Sequence, residues 1–109
     1  MIDDPAERLE AVMDIGKTLP PVPTDAECNE ILGCTSFVQI CRRGNNFYGT
    51  ADSMLVRGIV AIILSMVDGH TPNEIRAMPL DSWFHDLRIN IGSARLNGVN
   101  SMIRFLKNL

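Results

Sequence analysis

Among the 109 residues, the side chain best placed for nucleophilic chemistry is Cys34. It follows Gly33 where a loop runs into a predicted strand, so it is presented near the surface on a rigid base. The thiolate is the reactive form, and an ordinary cysteine is only a few per cent ionised at neutral pH, so a nearby cation would favour reaction. The other two thiols read differently. Cys41 falls inside the predicted strand and reads as a small buried hydrophobe. Cys28 lies in a polar segment with no evident partner. Three cysteines are an odd number, which excludes a fully paired disulfide framework. A reducing compartment, the cytoplasm, is therefore the simplest home, with a plastid or mitochondrial form that has lost its transit peptide as the alternative.

Other chemistries find less support. Five and six residues separate the three cysteines, with no C-x-x-C pair and no H-x₃₋₅-H. A three-thiolate metal site completed by Asp52 or a histidine is the weaker alternative, and the expectation is no bound metal. His70 and His85 read as polar surface or helix-end residues. No Ser-His-Asp ordering, phosphate-binding glycine loop or paired-carboxylate motif is present.

The elements that must position Cys34 follow from periodicity and punctuation. Asp4 before Pro5 reads as a helix cap, and Leu9, Val12 and Met13 then form one apolar stripe. Gly16 and Leu19-Pro20-Pro21-Val22-Pro23 end that helix in a stiff linker. Asp25 to Ile31 reads equally as loop or short strand. Thr35–Arg42 alternates as a strand, with Ser36, Val38 and Ile40 on one face and Phe37, Gln39 and Cys41 on the other. Arg43-Gly44-Asn45-Asn46 turns it back into Phe47–Ala51, completing a hairpin. Asp52-Ser53 caps the long apolar helix Met54–Val67, which Asp68-Gly69 stops. Arg57 within it reads as a snorkelling or pairing cation. Thr71-Pro72-Asn73-Glu74 is a capping box that starts a short helix to Ala77. Asp81 to Leu87 forms another, with Trp83 and Phe84 as core residues. Ser93 is the expected cap of the last helix, whose buried stripe is Leu96, Val99, Ile103 and Leu106. A helix, a small antiparallel sheet and then several helices predict an α+β two-layer domain.

Composition bounds the function. The apolar fraction is 46%, the charged fraction 21% and the net charge −3, which argues for one globular domain over residues 1–109 with no nucleic-acid-binding surface. Charge is uneven: residues 1–30 carry eight acids against Arg8 and Lys17, a net of −6, and the remainder nets +3. That pattern reads as a solvated acidic first helix. The longest apolar run, Met54 to Val67, has 14 residues and is interrupted by Arg57, too short for a membrane span. The acidic start is unlike a signal peptide.

Five motifs then coincide. Gly33-Cys34-Thr35-Ser36-Phe37-Val38 resembles the G-C-x-S-x-V segment of the SufE/CsdE family, the sulfur-acceptor partners of cysteine desulfurases. Ala51-Asp52-Ser53, Val56-Arg57-Gly58, Trp83-Phe84, and Arg95-Leu96-Asn97-Gly98 with Met102-Ile103 follow in family order. The resemblance runs from about Pro5 to the C-terminus. Gln39 stands where the family commonly has tryptophan, Met54 where some relatives have an acid, and the chain is shorter at its N-terminus by about one helix.

The resemblance implies a SufE/IscU-like two-layer fold and a persulfide carried on Cys34. The sulfur would come from a pyridoxal-phosphate desulfurase, which keeps that cofactor, and pass to an iron–sulfur cluster assembly scaffold. This chain would bind no cofactor of its own and act as a monomer or weak dimer. Gly33 and Ser36 accompany the thiol, and Arg95, with Ser93 capping its helix, is the source of positive potential. Asp52 is either a neighbour of the transfer site or the cap of the core helix. The competing functions are a metal or iron–sulfur scaffold built on several cysteines, and a non-catalytic regulatory binder of the desulfurase.

Overall fold

A computed structural model describes residues 5–109. Helix α1 (Pro5–Gly16) leads into strands β1 (Glu27–Glu30), β2 (Val38–Arg43) and β3 (Asn46–Ala51). Helices α2 (Met54–Val67), α3 (Pro72–Ala77), α4 (Leu80–Asp86) and α5 (Gly92–Lys107) follow. The strands form one antiparallel sheet in the order β1-β2-β3. This is the expected α+β architecture. The Asp4 cap lies outside the described residues.

The core joins one face of the sheet to the helices. Val38 and Ile40 of β2 and Phe47 and Ala51 of β3 pack with Ile59, Val60, Ile63 and Leu64 of α2, and with Val99, Met102 and Leu106 of α5. Helix α2 has its predicted bounds, and its cap is Ser53, whose Oγ accepts from the Val56 N–H at 3.0 Å. At its far end the Asp68 carboxylate accepts from the Phe47 N–H at 2.9 Å, and the Gly69 N–H donates to Asn45 O at 2.8 Å. The end of α2 is thereby tied to the hairpin turn. The capping box of α3 is present on both sides, Thr71 with Glu74. Helices α1 and α2 cross with backbones in contact: a Cβ on Gly58 would fall inside the Val12 carbonyl, and one on Gly16 would lie 2.7 Å from Gly58 N.

Four expectations change, and the open reading of Asp25–Ile31 resolves. Strand β2 begins at Val38, since Thr35–Phe37 belong to the loop that carries Cys34. Asp25–Ile31 contains a strand, β1, paired with β2. Trp83 is exposed and only Phe84 is buried, because the short α4 presents just Leu80 and Phe84 inward, one turn apart. Leu96 is also exposed; it sits beside a cavity of about 330 Å³ between α4 and α5, while Val99, Ile103 and Leu106 are buried as predicted. Helix α5 starts at Gly92 with Ile91 at the cap position and no side-chain cap, so Ser93 lies within its first turn.

Candidate functional site

The loop between β1 and β2 presents Cys34. At its base Ile31 is buried, and its N–H donates to Val38 O at 2.8 Å. The Asp52 N–H donates to Phe37 O at 3.2 Å and ties the outgoing side to the start of α2. Leu32, at 80% exposure, projects from the loop. Gly33 follows with φ +93°, a conformation L side chains rarely adopt, and a Cβ there would come 2.5 Å from Ser101 Oγ. Glycine is thus required twice over.

From this turn the Cys34 side chain points toward the helices. Its thiol is half-buried and donates to Gly98 O in α5 at 3.8 Å. A Cβ on Gly98 would lie 3.2 Å from Cys34 Sγ, so the glycine of the Arg95–Gly98 motif makes room for the sulfur. Ser36, Val56, Ile59, Arg95 and Met102 help line the surrounding cleft, which holds about 10 Å³, scarcely one water. Burial pushes the thiol above the ordinary cysteine range.

The expected helpers are distributed unevenly. Gly33, Ser36 and Arg95 all sit at the thiol. Arg95, however, is exposed, and its Nη1 donates to Ile91 O on its own helix at 3.3 Å. In this geometry the net influence on the thiol is therefore desolvation, the opposite of the expected shift toward thiolate. Asp52 is exposed and does not cap α2, since Ser53 fills that role. Arg57 behaves as predicted for a pairing cation: its Nε donates to Ala51 O at 2.8 Å.

The other two cysteines require a correction. Cys28 and Cys41 form a disulfide, and Cys34 is the one free cysteine. The register sets Cys28 of β1 directly opposite Cys41 of β2, with Tyr48 of β3 on Cys41's other side. Cys28 is exposed. Cys41 is fully buried, as expected, and alternation along β2 puts it on the face of the sheet that Gln39 shares, opposite Val38 and Ile40. The pair follows from the register: each cysteine stands three residues outside the loop base Ile31–Val38, so pairing at that base aligns them. The disulfide also removes the free-thiol argument for a reducing compartment, and it takes two of the three thiolates a cysteine-built metal site would use. Among the described residues no three His, Cys, Asp or Glu side chains group closely enough to hold a metal ion. Nor is any described helix long and apolar enough to cross a membrane.

Known proteins agree with this architecture. Residues 1–109 match the family described as SufE, Fe-S metabolism associated domain. A SufE-like protein of Rhizobium etli is 30% identical over 118 aligned positions, covering 97% of this chain and 80% of that protein. The sulfur acceptor protein CsdE of Escherichia coli is 29% identical, over 88% of this chain and 71% of its own length. A solution structure of a hypothetical protein from Thermus thermophilus shares the fold, with a TM-score of 0.66 at 15% identity over 94% of this chain and 81% of that one. With a family match over its whole length and the Gly33-Cys34 loop seated on Gly98, the chain belongs to the SufE family.

Proposed function

We propose that this chain accepts sulfur from a pyridoxal-phosphate cysteine desulfurase, holds it as a persulfide on Cys34 and delivers it to an iron–sulfur cluster assembly scaffold. The observation that carries the reading is that Cys34 is the one free thiol and stands on a loop whose geometry requires Gly33. Family membership and the sulfur-acceptor relative support it.

In the transfer, the Cys34 thiolate attacks the outer sulfur of the desulfurase's cysteine persulfide. A bond forms from Cys34 Sγ to that sulfur, the donor's S–S bond breaks, and the donor cysteine leaves as a thiolate. One thiol and one persulfide enter, and one thiol and one persulfide leave, so no outside oxidant or reductant is needed. A cleft of about 10 Å³ has no room for a second sulfur together with its donor, so the loop swings Cys34 outward to react. Leaving the cleft also rehydrates the thiol, which lowers its pKa toward the ordinary value. Arg95, exposed at the cleft and hydrogen-bonded to the Ile91 carbonyl of its own helix, is a cation at hand for the emerging thiolate.

The test is desulfurase-driven labelling, read as a mass gain of one sulfur atom and located by digestion. Wild type should gain the atom on Cys34, and Cys34→Ser should gain none and fail to stimulate the desulfurase. If Cys34→Ser stimulates as well as wild type, the chain is a regulatory binder and the carrier reading falls.

A further inference from the structure

The Cys28–Cys41 disulfide occupies a position with consequences for the neighbouring loop. Strand β1 has four residues, all exposed, and lies at the edge of the sheet. Beyond its backbone ladder with β2, the disulfide ties it covalently to the central strand, and Ile31, just past its end, is anchored in the core. Immediately after β1 come Ile31, Leu32, Gly33 and Cys34, so this strand is the incoming root of the loop that must open. Of the two bonded cysteines Cys28 is the exposed residue, on the face of the sheet away from the Val38 and Ile40 side chains, where a reductant can approach without meeting the Cys34 cleft.

We infer that the Cys28–Cys41 disulfide is a site of thiol–disulfide exchange with a dithiol, and that its redox state sets how readily Cys34 leaves its cleft. One thiolate of the dithiol attacks Cys28 Sγ. The Cys28–Cys41 bond breaks, Cys41 leaves and takes up a proton, and a mixed disulfide joins Cys28 to the reductant. The second thiol of the reductant then attacks that mixed disulfide, releasing Cys28 as a thiol and the reductant as its own disulfide. Two electrons and two protons pass to the protein, and the oxidised form of the same dithiol reverses the step. Reduced, β1 keeps its ladder and the Ile31 anchor at its end but loses its covalent tie to β2, so it opens locally at lower cost than the oxidised strand. The loop root loosens and Cys34 spends more time outside. The inference rests on the carrier reading only for its biological meaning, because access to Cys34 is measurable without a desulfurase.

The experiment uses the full chain. Protein purified with thiols blocked should show Cys28 and Cys41 joined and Cys34 alone alkylated; finding all three alkylated overturns the inference. Oxidised protein, and protein reduced with dithiothreitol and desalted without air, are then treated with iodoacetamide, and the Cys34 peptide is followed by mass spectrometry. The reduced form should alkylate at Cys34 about three- to tenfold faster, with faster amide exchange over residues 27–33. An equal or slower rate overturns the inference. Cys28→Ala with Cys41→Val should alkylate at the reduced rate whatever the redox treatment, and a persistent response to dithiothreitol in that variant also overturns it. Should the variant misfold, wild-type protein in its two redox states decides alone. Persulfide labelling at Cys34 fails or succeeds separately from either result, so the two readings are distinguishable.

Discussion

Two sulfur environments lie against the same small sheet and differ in what surrounds them. Cys34 leans on the helices, against Gly98, Val56 and Ile59, and is half-buried yet free. Cys41 sits on the opposite face, fully buried yet bonded to an exposed partner. Burial alone therefore does not decide which cysteine is available. The helix side offers a pocket shaped by a missing Cβ, from which a loop can withdraw. The outer face offers a fixed cross-strand neighbour, and the pair holds strand to strand.

Substitutions at each sulfur should separate these roles. The largest effect is expected for Cys34→Ser, which should abolish sulfur uptake while leaving the urea unfolding midpoint close to wild type. Reduction of Cys28–Cys41, which closes a span of 13 residues, should instead leave Cys34 competent but cost stability. The chain-entropy account puts that cost at about 3 kcal/mol or less, measured as unfolding with and without reductant. Gly33→Ala places a side chain at φ +93° and against Ser101, and should cost about 1–3 kcal/mol while displacing Cys34, seen as altered alkylation alongside a lower midpoint.

The smallest effect is in the pH profile of Cys34. Its alkylation rate should rise with pH through a midpoint above that of an unhindered cysteine, because burial raises its folded-state pKa. The linked stability has the matching sign: it is fully present below the unfolded-state pKa and is lost as pH rises through the raised folded value. A midpoint at or below the free-cysteine value would mean that Arg95 outweighs desolvation at the thiol.

Much of the frame was legible in local sequence. The bounds of α2 follow from Ser53, a continuous apolar run and Gly69, and the capping box of α3 can be read from four residues. Such signals act within a turn or two of chain. What was not legible depends on contacts between distant segments. Strand β1 has no apolar alternation, because all four residues are exposed, so only its pairing with β2 defines it. The disulfide follows from that register and was missed with it. Leu96 has the right helical phase for burial but stands beside a cavity, and Trp83 lies on a helix too short to bury two sides. At the site, the Gly33-Cys34 pair and its companions Ser36 and Arg95 were located by motif. The direction of the thiol's shift was not, since it depends on how closely α5 approaches.

The backbone contact at Gly58 has a consequence for the other end of the chain. Side chains in a helix interface can usually trade volumes and let one helix slide or roll over another. Here Val12 meets bare backbone at Gly58, and Gly16 meets the Arg57–Gly58 backbone in the same way, so no rotamer is available to absorb a shift. Helix α1 is keyed to α2 at one axial position and one rotation. Its exposed acids, Glu7, Glu10 and Asp14, are accordingly carried as a charge array in fixed orientation to the rest of the molecule, so any basic surface that meets them meets a rigid pattern.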